Sequence, residues 1–376
     1  MTETQKLLSE LIALPSVNTF LLPAGHPQAG ERRVSEFLAA TAAAAGLDVD
    51  FQEVFPERSN LLARLTPSGP VRQRVVLAPH LDTVNAATED QWIPRIKGGR
   101  LYGRGACDTK GSVAVMMKAI CELARSGKRP AETEIVFAGL VDEESGQGGS
   151  RALAASGFKA DLAIIGEPTR LQVVTAHKGN LWLKMETRGK AAHGARPELG
   201  RNAIHEMARI VHLLETTYTK QLGRRRHALL GRATVNVGTI SGGVQPNIVP
   251  AHCVISVDRR TLPGETEAGI RRELKTLFRQ HDLSATMADT KAAPCLPMET
   301  DASLPLVHRL LECAGQPAPA GVDYFCDASV LSHGGIPSVV FGPGDIAQAH
   351  TADEWISVAS LERGLRLMVR FLRSLP

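Results

Sequence analysis

Two hydrophobic rhythms alternate along the chain. "RVVLAPH" (74–80), "TEIVFAGLV" (133–141), "LAII" (162–165) and "SVVFG" (338–342) are short continuous apolar runs. Such runs predict strands buried on both faces, as in a parallel sheet. Between the first two lies "SVAVMMKAICELARSG" (112–127), with apolar residues at 113, 116, 117, 120 and 123–124 and a glycine at 127. That spacing predicts a helix with a glycine stop. Strands alternating with helices predict an α/β unit: a mostly parallel sheet with helices on both faces.

The middle of the chain changes period. "NLWLKMETRGK" (180–190) alternates apolar and polar positions like a half-exposed strand. A helical stretch follows over about 200–221, then strands near 232–240 and 251–260, a helix near 266–280 and a strand near 283–290. The order strand, helix, strand, strand, helix, strand predicts a ferredoxin-like α+β unit. The parallel pattern resumes after it. The expected division is therefore a discontinuous domain, 1–177 plus 292–376, with an inserted domain at 178–291.

At 376 residues the chain is long enough for two domains, which agrees with this division. Net charge is only +4, and "GRRRH" (223–227) is the one dense basic cluster, so nucleic acid is not an expected partner. No apolar run approaches the ~20 residues of a membrane span, and "MTETQKLLSELIAL" lacks a secretory pattern. The six cysteines show no CxxC spacing, which suits reduced thiols in a cytoplasmic protein.

In open α/β sheets, sites form beyond the carboxyl ends of the strands. Here the residues just past the apolar runs are His80 and Asp82 in "HLDTV", Asp142, Glu143 and Glu144 in "DEESGQGG", Glu167 in "GEPT", and His350 in "GPGDIAQAHTADEW". Asp108, in "RGACDTKGS", opens the crossover helix between the first two strands. So many acids at one edge repel each other unless cations intervene. Two imidazoles with several carboxylates form a donor set suited to zinc, cobalt or manganese, and too large for one tetrahedral ion. Two ions sharing a carboxylate would use it, with Asp108 as the candidate bridge. Asp82 is placed to accept the second N–H of His80. Neighbouring side chains in an extended segment point apart, so one member of the Glu143–Glu144 pair can ligate while the other serves as a base.

The motifs "HLDTV", "GRGACDTKG", "DEESG", "GEPT", "KAAHGARPELGRNAI", "GGVQPNIVP", "DRRTLPG" and "AHTADEW", in this order and spacing, span nearly the whole chain. In them the chain resembles the dinuclear zinc amidohydrolases and peptidases that include acetylornithine deacetylase, succinyl-diaminopimelate desuccinylase, aminoacylase-1 and carboxypeptidase G. The resemblance implies that His80 and Glu167 hold one metal, that Glu144 and His350 hold the other, and that Asp108 bridges them. Glu143 is then the general base. It implies two divalent ions, zinc or alternatively cobalt, and an inserted domain that acts as lid and homodimer interface. His193 would stabilise the oxyanion, while Asn247 and Arg260 would contact substrate; a one-residue register error would exchange Arg260 with Arg259. "GPGDIAQAHTADEW" most resembles the acetylornithine deacetylases, which implies deacylation of a small N-acyl amino acid. A desuccinylase, a carboxypeptidase G- or dipeptidase-like peptidase, and a non-catalytic metal-cleft binding protein are the alternatives.

Overall fold

The computed structural model describes residues 1–290 and 295–376, and the expected boundary at 291/292 lies outside them. The chain forms two compact units. The larger comprises Met1–Thr175, Glu299–Ala320 and Cys326–Pro376; the smaller comprises Ala176–Met298 and Gly321–Phe325.

The larger unit is built on strands β1 (Asp48–Phe55), β2 (Arg58–Leu65), β3 (Gln73–Ala78), β4 (Thr133–Gly139), β5 (Leu162–Ile165) and β6 (Ser338–Val340). Their spatial order is β1-β2-β4-β3-β5-β6. The pairs β3–β4, β3–β5 and β5–β6 are parallel. An antiparallel β1–β2 hairpin is added at the β4 edge. Every residue of β4 and β5 is buried, which is why both read as unbroken apolar runs.

Helices α1 (Glu3–Ile12), α2 (Arg32–Ala43), α3 (Lys110–Arg125), α4 (Gly148–Ala155), α5 (Pro305–Ala314), α6 (Ala328–His333) and α7 (Val358–Arg373) cover the sheet. One continuous core joins α1, α2, α3, α5 and α7 to β2–β6 through residues such as Leu8, Leu38, Met117, Leu77, Val307 and Phe371. Helices α4 and α6 pack on each other apart from that cluster, burying Leu153 and Leu331. Helix α7 shows how pattern becomes packing. Leu361, Gly364, Met368, Phe371 and Leu372 form its buried stripe, and the Ser357 hydroxyl caps its first turn. No described helix is long and apolar enough to cross a membrane.

The smaller unit has an antiparallel sheet in the order Thr234–Gly242, His252–Thr261, Gly179–Arg188, Thr286–Asp289. The Ala203–Leu213 and Glu267–Gln280 helices contribute Met207, Ile210, Leu274 and Phe278 to its own core. This is ferredoxin-like connectivity. The long helix expected over 200–221 runs from Ala203 to Gly223 and contains a π-helical turn. Its first segment starts where the Asn202 side chain accepts from the Ile204 and His205 amides, and it gives way to a π-helical turn at Leu214–Tyr218.

Candidate active site

The chain ends of β3, β4 and β5 converge on one edge of the larger sheet. Pairing between the first two continues past the strands: Leu81 N donates to Leu140 O at 2.7 Å, and His80 bridges Leu140. His80 therefore stands beside the segment that carries Glu143 and Glu144. Glu167 follows β5 after Gly166. A Cβ at Gly166 would lie 2.8 Å from Ser112 Cβ and 2.9 Å from Pro79 Cβ, so only glycine permits this close approach.

Asp108 is held by an acid that sequence reasoning left without a role. Glu354, 1% exposed, accepts from the amides of Cys107 (2.8 Å), Asp108 (2.9 Å) and Gly105 (2.9 Å), and pairs with Arg104 at 2.7 Å. It lies four residues past His350 in the quoted "AHTADEW". The Trp355–Tyr102 pairing fixes the same two segments together. The motif thus supplies one side chain to the site and a second to the backbone that presents Asp108. The Asp108–Thr109 peptide is cis.

Five candidate ligands meet around Asp108. Its Oδ1 lies 3.1 Å from His80 Nε2, and its Oδ2 lies 3.3 Å from His350 Nε2. His80 Nε2 is also 3.8 Å from Glu167, and His350 Nε2 is 3.1 Å from Glu144. One carboxylate with an oxygen toward each imidazole, and a further acid beside each, is the arrangement a pair of cations requires. Donor atoms of His80, Asp108 and Glu144 lie within 4.8 Å of one another.

The electrostatics fit the same reading. Burial opposes charge on His80, but hydrogen bonds to Asp108 and Asp82 and the charge of Glu167 outweigh it and raise its pKa. His350 is raised to about 10 by Asp108 and Glu144. Burial works against ionised Asp108, yet the two imidazoles hold its carboxyl well below the usual range. Glu143, Glu144 and Glu167 all move up, through burial first and neighbouring acids second. Excess buried negative charge of this kind is relieved by cations. A nitrogen and oxygen donor set of this composition matches zinc or cobalt.

Glu143 retains partial exposure, and among the described residues neither imidazole pairs with it. Asp82 is fully buried, and both of its acceptors reach His80. His80 Nδ1 lies 2.9 Å from the backbone carbonyl of Asp82 and 3.5 Å from its carboxylate. Nδ1 thus faces two oxygens of Asp82, the carbonyl being the nearer. The carboxylate accepts from the amides of Glu143 (3.1 Å) and Glu144 (3.0 Å). Asp327 is a further buried acid of this unit, raised by burial to about 7 and accepting from Ser150 Oγ at 2.5 Å. A lone Asp in "YFCDASV" gives no sequence signal for such a position.

His193, Asn247 and Arg260 belong to the smaller unit. His193 and Asn247 are exposed and close in space, since Gly194 N donates to Asn247 O at 2.7 Å and His193 pairs with Ile248. Strand alternation separates the two arginines. Arg259 is 1% exposed, with Nε donating to Tyr218 Oη at 3.2 Å and Nη2 to Glu265 at 2.6 Å. Arg260 faces the other way, half-buried, beside Asp258 at 3.2 Å. Arg259 is occupied within the fold, whereas Arg260 is partly exposed and carries an ion pair with Asp258.

Comparison with known proteins gives the family. Residues 76–374 match the profile of Peptidase family M20/M25/M40. Acetylornithine deacetylase of Myxococcus xanthus is 34% identical over 349 residues, covering 89% of this chain and 90% of the relative. The aminopeptidase PepT of Bacillus cereus ATCC 10987 superposes with a TM-score of 0.80 at 23% identity, covering 98% of both chains. The YXEP protein of Bacillus subtilis, a dinuclear metal binding peptidase from the M20 family, superposes with a TM-score of 0.72 at 11% identity, covering 99% of this chain and 97% of that one. The chain is thus a metallohydrolase, and it belongs to Peptidase family M20/M25/M40.

Proposed function

We propose that this enzyme hydrolyses the amide bond of small N-acyl amino acids, with acetylornithine-type deacetylation as its reaction. One observation carries the reading: the Asp108 carboxylate divides its oxygens between His80 and His350, with Glu167 and Glu144 beside them. His80 and Glu167 would hold one zinc ion, Glu144 and His350 the other, and Asp108 both; cobalt suits the same donors. Ions held there supply Lewis acidity toward the amide carbonyl and lower the pKa of a water. Glu143 is the acid left over, partly exposed and unpaired with either imidazole. It takes a proton from the attacking water and returns it to the leaving amine.

His193 and Asn247 stabilise the developing oxyanion and orient the substrate. Arg260 takes the substrate α-carboxylate through its planar fork. The smaller unit acts as lid and homodimer interface. The six described free cysteines, all buried, accord with a cytoplasmic setting. The Arg260→Ala variant is expected to raise KM about tenfold or more for carboxylate-bearing substrates, the order expected for a lost charge-assisted contact. Equal changes on a matched amide lacking the carboxylate would contradict direct contact.

Metal binding has an expected proton signature. Both imidazoles are raised above their usual pKa, His350 to about 10, and so carry protons at neutral pH. A ligating imidazole is neutral, so metal uptake expels those protons. Apparent affinity should therefore rise with pH from about 7 toward about 10. Calorimetric titration of the metal-free protein in buffers of different ionisation enthalpy should show buffer-dependent heat and net proton release. Heat independent of buffer would contradict the ligand assignment.

The function itself is tested by amine release from N-acetyl, N-succinyl and dipeptide substrates, with zinc or cobalt added. Preference for the N-acetyl amino acid is expected. A preference for N-succinyl substrates or dipeptides would reassign the enzyme within its family, and no amine release from any of them would overturn the reading.

A further inference from the structure

The segment Asp142–Glu143–Glu144 hangs on a buried polar brace that reaches back to the first residues past α1. Asn18 is 0% exposed. Its Nδ2 donates to Asp82 Oδ2 at 2.8 Å and to Asp142 Oδ1 at 3.0 Å. Its Oδ1 accepts from Phe20 N at 3.0 Å, which fixes which way the amide points. The backbone there is tied down as well, since Asn18 N donates to Thr83 O at 2.9 Å and Gly30 N donates to Val17 O at 2.8 Å. Both side-chain N–H groups are thus committed, from a rigid base, to two different carboxylates.

Those two carboxylates flank Glu143 in structure. Asp82 receives the amides of Glu143 and Glu144. Asp142, the preceding residue, has a left-handed backbone with φ 72. Its side chain accepts from Gly148 N at 3.2 Å, and its carbonyl accepts from Gln147 N at 2.7 Å. Arg58 completes the brace. It grips Glu31 with two hydrogen bonds, of 2.6 and 2.8 Å, and lies 3.3 Å from Asp142 Oδ1. Glu31 in turn accepts from Asp142 N at 3.2 Å. Two buried acids, Glu31 and Asp142, therefore share one guanidinium. The Asn18 amide supplies the two neutral donors that keep Asp82 and Asp142 satisfied at close quarters.

We propose that Asn18 is a positioning residue for Glu143: by holding Asp82 and Asp142 together it sets where the backbone of the 142–144 segment presents the hydrolytic carboxylate. Asn18 touches neither substrate nor the reacting atoms. This rests on the functional reading above for its consequence in turnover, and on hydrogen-bond geometry alone for its consequence in structure.

The test uses the full-length, metal-restored protein and Asn18→Leu, which keeps nearly the same shape and removes every side-chain hydrogen bond of the residue. Val34→Ala, a buried substitution in α2 outside the brace, serves as the stability control. In Asn18→Leu, hydrogen–deuterium exchange of the Glu143 and Glu144 amides should quicken by about tenfold or more relative to β4 amides, because their acceptor is released. At a temperature where the protein is fully folded, kcat per bound metal should fall about 10- to 100-fold with KM within about twofold, the scale of a misplaced reacting group. Val34→Ala should lower Tm and leave both readouts at wild type. If Asn18→Leu does not fold, Asn18→Ser, which retains one donor, should give the same pattern at smaller amplitude. Unchanged exchange at those two amides, or unchanged kcat, overturns the proposal. A wild-type chain that hydrolyses no amide would sink the functional reading instead, and the exchange measurement would still decide whether Asn18 holds the segment.

Discussion

Replacing Glu143 by alanine is expected to leave a folded, metal-loaded protein whose turnover falls about 10²- to 10⁴-fold, the usual contribution of a positioned general base. The geometry separates this residue from its neighbours. Among the described residues, His80 and His350 pair with Asp108, Glu144 and Glu167, and neither pairs with Glu143. Metal stoichiometry should therefore survive the substitution. Burial and the charges of Glu167, Asp327 and Glu144 disfavour ionised Glu143, so its removal relieves repulsion. The variant without metal should melt at or above the wild-type temperature, a gain in stability set against lost activity. Metal analysis, Tm and kcat on the same preparation check all three. Normal amide hydrolysis would remove Glu143 from the chemistry, and loss of metal would make it a ligand.

Asp108→Ala should do the reverse. It removes the one carboxylate that faces both imidazoles, so the variant is expected to bind at most one ion and to fall to background turnover. In the metal-free protein the buried His80–Asp108 pair contributes to folding as well. Breaking such a pair costs about 3–5 kcal/mol, and the lower end applies because Glu167 remains 3.8 Å from His80. The His350 contact adds little, since that side chain is 53% exposed. Two ions per chain with substantial activity in Asp108→Ala would refute the shared-carboxylate arrangement.

The gathering of these side chains at one edge is legible in the sequence because strand ends are. Unbroken apolar runs such as "TEIVFAGLV" and "LAII" mark buried strands, and the polar residues just past them fall at the sheet edge, as His80, Glu143, Glu144 and Glu167 do. The ferredoxin-like order of the smaller unit was legible from its change of period. The brace was not. Asn18 lies outside the main helices and strands, Glu31 just precedes α2 and Arg58 opens β2, and their brace partners are 27 to 124 residues distant. A hydrogen bond of that kind leaves no mark in local sequence. Glu354 was quoted inside a motif, yet its role depends on accepting backbone amides, and the acceptor of a backbone amide cannot be read from side-chain chemistry. The Asp82 carboxylate does lie beside His80, as their spacing in sequence suggests, but its bonds to the Glu143 and Glu144 amides leave no such signal. Which faces Arg259 and Arg260 present depends on the strand register, because a shift of one residue exchanges them.

Anomalous diffraction from crystals grown with zinc or cobalt tests the metal pair most directly. The expected result is two peaks about 3.5–4 Å apart astride the Asp108 carboxylate, one reached by His80 and Glu167 and the other by Glu144 and His350. A single ion, or ions bound away from Asp108, would contradict it.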